Sequence, residues 1–171
     1  AKRNPTYTLD RALTDEQVAA SYNNFYEFTT DKEGVREKVA DFRPLPWQVE
    51  IRGLVHNPKV WDFDELVRKL PLEERLYRHR CVEAWAMAVP WTGFPPKALV
   101  DLARPLSGAK YLRLVSFYRP DEAPGQKWQP WYNWPYYEGL SMAEATSELS
   151  LIATGIYGHE LPKQHGAPLR L

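Results

Sequence analysis

The sequence holds a single cysteine, Cys81, in the run Tyr77-Arg78-His79-Arg80-Cys81-Val82-Glu83-Ala84-Trp85. A lone thiol cannot close an internal disulfide, so it acts as a thiol, a thiolate or a metal ligand. The plain alternative is a buried cysteine packing as a small hydrophobe. Three basic side chains precede the sulfur and favour the thiolate, and the Glu83 carboxylate lies two residues on. In an extended strand Tyr77, His79 and Cys81 share one face and Arg78 and Arg80 the other. That puts His79 beside the sulfur, unless it is an ordinary surface histidine. Zinc fits badly, because structural sites take four Cys or His ligands and the chain has one Cys and four His, with no H-E-x-x-H or C-x-x-C. A Cys–His nucleophile pair with His56, His79, His159 or His165 lacks a local signature. One protein thiolate suits a soft or high-valent transition metal whose remaining ligands come from a cofactor.

Two further clusters carry polar chemistry. Gln164-His165-Gly166-Ala167-Pro168-Leu169-Arg170 sets a His and an Arg across a Gly-x-Pro turn. Arg170 offers a planar fork for a phosphate and His165 a further donor; a plain turn into an exposed strand explains the spacing as well. Asn23, Tyr26 and Glu27 form the third cluster, although turn asparagines commonly satisfy their own backbone.

These groups need a scaffold. The 171 residues suffice for one domain with a core. Lys+Arg and Asp+Glu are both 22, and a net charge of zero argues against a broad nucleic-acid or anionic-membrane surface. No run approaches the roughly 20 apolar residues of a membrane span. Ala1-Lys2-Arg3-Asn4-Pro5 lacks the apolar core of a leader peptide, which either never existed or was removed. Fifteen prolines and seven tryptophans imply fixed loops between short elements and large rigid packing units.

Residues 1–13 read as a weakly determined extended arm, ahead of one domain over 14–171. Thr14-Asp15-Glu16-Gln17 reads as a capping box with Thr14 as N-cap and a helix to about Tyr22, and 30–38 as polar loop. Alternation predicts a strand over 47–55. Asp62 or Asp64 caps a helix through Leu70 that Pro71 stops. Residues 76–80 form a strand into Cys81, and 97–103 a helix opened by Pro95-Pro96. Residues 109–118 are a second strand and 119–139 a long Pro- and Trp-rich loop. A helical turn over 141–146, a strand over 149–156 and the start of another at 166–171 complete the chain. The irregular alternation predicts an α+β (mixed) domain, and no glycine-rich nucleotide motif is present.

Taken together, the clusters identify a resemblance. Tyr22-Asn23-Asn24-Phe25-Tyr26-Glu27-Phe28, Pro71-Leu72-Glu73-Glu74-Arg75, Arg80-Cys81-Val82-Glu83-Ala84-Trp85, Val89-Pro90-Trp91, Gly93-Phe94-Pro95, Pro124-Gly125-Gln126, Tyr137-Glu138-Gly139-Leu140 and Gly166-Ala167-Pro168 occur in the order seen in the sulfite-oxidase superfamily of molybdenum–molybdopterin enzymes. Within it the chain resembles the YedY-type branch, the catalytic subunits of periplasmic protein-methionine-sulfoxide reductases. The resemblance implies a sulfite-oxidase-type molybdopterin-binding fold, here incomplete: the family continues with a Gly-Phe-Lys motif, whereas this sequence stops at Leu171.

The resemblance also implies roles. Cys81 is the thiolate ligand to molybdenum, with Glu83 in the metal pocket. Asn23, Tyr26, Glu27, Ser116, His165 and Arg170 contact the pterin cofactor. Ser116 stands where the branch usually has Thr, keeping the hydroxyl. His165 stands where that branch often has Asn, and a His-Gly-x-Pro-x-Arg pattern is common in sulfite oxidases, whereas Glu83 is typical of the reductases. The implied activity is reduction of methionine sulfoxide in oxidised periplasmic proteins, with electrons from a haem-containing membrane subunit. The alternatives are a sulfite, S-oxide or N-oxide oxidoreductase on the same cofactor, or a non-catalytic fragment. The aromatic run 128–137 is either a rim for a protein substrate or ordinary loop packing.

Overall fold

The computed structural model describes residues 1–171. It is an α+β structure whose main sheet has five strands in the order β1-β4-β5-β8-β9. β1 (Lys2–Arg3) runs parallel to β4 (Glu73–Arg80). β4, β5 (Ala86–Phe94), β8 (Ile152–Ile156) and β9 (His159–Glu160) pair antiparallel. Two ribbons complete the strands: β2 (Gln48–Ile51) with β3 (Lys59–Asp62), and β6 (Tyr111–Val115) with β7 (Tyr137–Ser141). The helices are short: α1 (Glu16–Ala20), α2 (Val35–Lys38), α3 (Phe63–Lys69), α4 (Pro96–Ala103), α5 (Gly125–Trp128) and α6 (Met142–Ala145). No helix is long and apolar enough to cross a membrane.

Local chemistry accounts for several boundaries. The Asp62 side chain accepts from the Asp64 amide at 3.0 Å and starts α3. Ser141 and Glu144 make a reciprocal capping box at α6. The helix α1 departs from expectation. Asp15 is its N-cap, accepting from the Gln17 and Val18 amides, because the Thr14 hydroxyl is taken by the Ala88 amide at 3.0 Å. A neighbouring strand thus outcompeted the local box, and α1 ends at Ala20.

Other differences share a cause. β5, the longest strand, interleaves apolar residues with Pro90 and Gly93, which hid its period; register with β4 defines it. The ribbon strand β3 was likewise unforeseen. The stretch 30–38 contains α2, and 119–139 contains α5 and the start of β7. The strand expected at 166–171 is only an isolated bridge between Arg170 and Ala153. The arm at 1–13 is fastened rather than loose: Asn4 donates to Glu74 O at 2.8 Å, and Tyr7 lies 4.3 Å from the Arg75 guanidinium.

The core divides into three apolar clusters. One joins α1 to β5 and β8 through Ala19, Val89, Trp91 and Ile156. A second gathers Phe28, Val35, Phe42 and Ala123. A third packs Leu66, Leu70, Phe94 and Ile152. The first two flank residues 20–28, the segment on which the candidate site is built.

Candidate metal and cofactor site

The antiparallel pairing of β4 with β5, ending at Arg80↔Ala86, forces residues 81–85 into a five-residue hairpin loop. Cys81 opens it. The Cys81 amide donates to Trp85 O at 3.0 Å and the Ala84 amide to Cys81 O at 3.1 Å. The turn needs a left-handed residue, and Ala84 takes φ 71°. The sulfur is partly exposed. Asn24 Nδ2 lies 3.6 Å from it.

Residues 23–27 touch the other candidates in turn. Tyr26 donates its hydroxyl to Glu83 Oε1 at 2.7 Å. Glu27 is buried, and its carboxylate receives only the Ser116 hydroxyl, at 3.4 Å. Burial pushes its carboxyl up from the usual range. Ser116 sits just past β6, and its amide donates to Tyr136 O at 2.8 Å. Phe25 lies under the Arg170 guanidinium, 5.0 Å from ring centroid to Cζ. Asn23 is buried and donates Nδ2 to Ala20 O at 3.0 Å, which leaves its carbonyl end for other partners.

Arg170 is positioned by the sheet. Its backbone exchanges two hydrogen bonds with Ala153 of β8, at 2.8 and 2.9 Å. Its guanidinium lies between Phe25 and Trp91, 5.3 Å from the latter. Burial lowers its pKa to about 10, opposed by Cys81 and Glu27. It donates to His165 O at 3.2 Å. His165 is buried, edge-on to Trp91 at 6.0 Å, and burial reinforced by Arg170 holds it neutral with a pKa of about 4. Gly166 follows at φ 90°, and a Cβ there would lie 2.5 Å from Phe25 Cζ.

His79 is not the ordinary surface histidine that the sequence allowed. It is partly buried, stacked on Trp85 at 6.1 Å and tilted to Trp91 at 5.7 Å, and burial lowers its pKa to about 4. A neutral, ring-stacked histidine is a wall of the site. Of the basic residues before Cys81, Arg78 is engaged by Asp10 and Arg80 is exposed, whereas the distant-in-sequence Arg170 is close enough for Cys81 to raise its pKa against the effect of burial.

Three residues that the sequence did not flag complete the surroundings. Lys32 Nζ meets Glu83 Oε2 at 2.8 Å. Gln129 donates Nε2 to Tyr26 O at 2.8 Å, while its buried Oε1 has no partner. The Trp85 indole N–H is also buried and unpaired. Trp128 and Trp131 are largely exposed, whereas Trp134 is tied by its indole N–H to Gln129 O at 3.1 Å.

The donor set fits a metal–pterin group. One accessible sulfur offers a single soft ligand. A half-satisfied buried carboxylate, an orphaned amide oxygen and an orphaned indole N–H offer acceptors and a donor to a heterocycle. A half-buried guanidinium offers a phosphate partner.

Comparison with known proteins agrees with that chemistry. Residues 36–171 match the family model described as the oxidoreductase molybdopterin binding domain. The chain is 45% identical over all 171 residues to the protein-methionine-sulfoxide reductase catalytic subunit MsrP of Burkholderia mallei (strain ATCC 23344). It is 44% identical over the same span to the MsrP of Ralstonia nicotianae (strain ATCC BAA-1114 / GMI1000). The chain spans about half the length of these relatives, 51% in each case.

Proposed function

The chain belongs to the oxidoreductase molybdopterin-binding domain family, and from that footing we propose that it serves the reduction of methionine sulfoxide in proteins at a molybdenum–molybdopterin cofactor. The observation that carries the reading is the convergence of residues 23–27 on Cys81, Glu83, Ser116 and Arg170. The identity to two methionine-sulfoxide reductase subunits supports the substrate class.

In this reading Cys81 supplies the thiolate ligand to molybdenum. Asn23, Tyr26, Glu27, Ser116 and His165 line the pterin, and Arg170 faces its phosphate. When bound, the cofactor supplies the two electrons that convert sulfoxide to thioether; the oxygen leaves as water and needs two protons. Glu83 is exposed, and hydrogen bonds from Lys32 and Tyr26 hold its carboxyl below the usual range. Its ionised carboxylate holds the Tyr26 hydroxyl and the Lys32 ammonium beside the hairpin loop. Neutral His79 and His165 add no competing charge next to Arg170, so its cation stays available to an anion. The periplasmic setting and a haem-containing membrane electron donor belong to the same proposal.

Expression in a cofactor-competent host, followed by the molybdenum-to-protein ratio and turnover of methionine sulfoxide against sulfite, tests the reading. A ratio near one with sulfoxide turnover is expected. A folded chain without molybdenum defeats the cofactor assignment. Sulfite oxidation without sulfoxide reduction defeats the substrate assignment.

A further inference from the structure

The loop that carries Cys81 has little apolar anchoring of its own. Val82 is fully exposed, Glu83 and Ala84 are exposed, and no residue of 81–85 is buried. Trp85, whose carbonyl accepts the Cys81 amide at 3.0 Å, anchors the base of the loop edge-on against Tyr22 at 5.4 Å, and leaves the tip at 82–84 with no apolar partner. The placement of the loop tip over Cys81 therefore depends on polar ties to the facing segment. One residue supplies a tie to each side. The Lys32 carbonyl accepts the Asn23 amide at 3.0 Å, which fixes the start of the pterin-facing segment. The Lys32 ammonium meets Glu83 Oε2 at 2.8 Å, on the opposite wall. It also lies 5.8 Å from the Tyr26 ring centroid, and Tyr26 holds the other Glu83 oxygen.

We propose that Lys32 is a positioning residue for the metal site, clamping the Cys81 loop to the 23–27 segment through its backbone carbonyl and its ammonium. Both Glu83 oxygens are then committed, one to Tyr26 and one to Lys32, so the loop is fixed in two directions. The register that results brings Asn24 to the Cys81 sulfur. The side chains of Lys32 and Glu83 are 24% and 29% exposed, so the pair acts through geometry, shared with the Tyr26 hydrogen bond, more than through the strength of one ion pair. The role builds on the proposed function, but the clamp itself does not require the cofactor.

Amide hydrogen exchange on the metal-free chain tests it. Exchange over 81–85 is expected to quicken about tenfold in K32M and to return near the wild-type rate in K32R, with the amides of β4 and β5 unmoved. E83Q should reproduce the effect, and the K32M/E83Q double variant should exchange no faster than either single variant. In the molybdenum-loaded protein K32M should lower kcat for methionine sulfoxide about tenfold at constant KM, with K32R restoring it. Wild-type exchange over 81–85 in K32M overturns the clamp. Uniformly faster exchange across the sheet also overturns it, by showing a merely global role. Failure of the wild-type chain to take up molybdenum defeats the proposed function instead, and the exchange comparison still decides the clamp.

Discussion

Gly125 lies directly on the backbone of Tyr26: a Cβ at Gly125 would fall 2.2 Å from Tyr26 O and 2.7 Å from Glu27 C. Only glycine permits this approach. It lets α5 deliver the Gln126 amide to Glu27 O at 3.2 Å and Gln129 Nε2 to Tyr26 O at 2.8 Å. The Trp-rich loop thereby holds the site segment from behind. G125A is expected to cost about 1–3 kcal/mol through forced separation and to lower the molybdenum-to-protein ratio. Chemical denaturation and elemental analysis measure the two effects; wild-type values in both contradict the account.

Cys81 sits outside the three apolar clusters, so its sulfur can be changed without opening a core cavity. C81S should keep the wild-type circular dichroism spectrum and unfolding midpoint within about 0.5 kcal/mol, while sulfoxide turnover by the loaded protein disappears. Surviving activity would remove Cys81 from the ligand role.

The buried histidine gives a signed pH dependence. The pKa of folded His165 is lowered to about 4, below the unfolded value of roughly 6.5. Between these values the unfolded chain binds the extra proton, so stability rises with pH. The contribution is complete above about pH 6.5 and is lost as pH falls toward 4, reaching on the order of 3 kcal/mol. His79 shifts in the same direction. His159 has the opposite sign: Glu16, 2.5 Å away, raises its pKa, so its contribution fades as pH rises. Urea midpoints from pH 7 to pH 4 should fall less steeply in H165N than in the parent chain; parallel curves would refute the assignment.

Arg75 is a structural cation remote from the sulfur. It is 3% exposed. It pairs with Glu73, donates to Tyr77 Oη at 2.8 Å, Glu148 O at 2.7 Å and Ser150 O at 3.1 Å, and stacks on Tyr7. R75A strands a carboxylate and two carbonyls, at a cost of about 3 kcal/mol. R75K should recover only part of this, because an ammonium cannot reproduce the planar fork. Thermal melting of the three proteins distinguishes this from a surface ion pair, whose loss would scarcely register.

The sequence by itself determined the chemical inventory. The lone Cys81 with Glu83, the 23–27 cluster and the His165–Arg170 turn could all be named, because residue types and short motifs are local information. Elements with strong local signals were legible for the same reason: an Asp62 or Asp64 cap for α3, which the structure gives to Asp62, the Pro95-Pro96 start of α4 and the helical turn from Ser141 that holds α6. Only the tertiary structure decided how the inventory is assembled. Asn24 and Tyr26 meet the Cys81 loop from 57 residues away, and Glu27 meets Ser116 across 89. The same holds for the Thr14 hydroxyl, drawn from its own helix by Ala88, and for Gly125, whose missing Cβ matters only because Tyr26 arrives there. Periodicity describes which face of one element is apolar; it carries no term for which distant segment will cover that face. Lys32, Gln129 and Trp85 acquire their roles through such pairings, and so were visible only once the chain had folded.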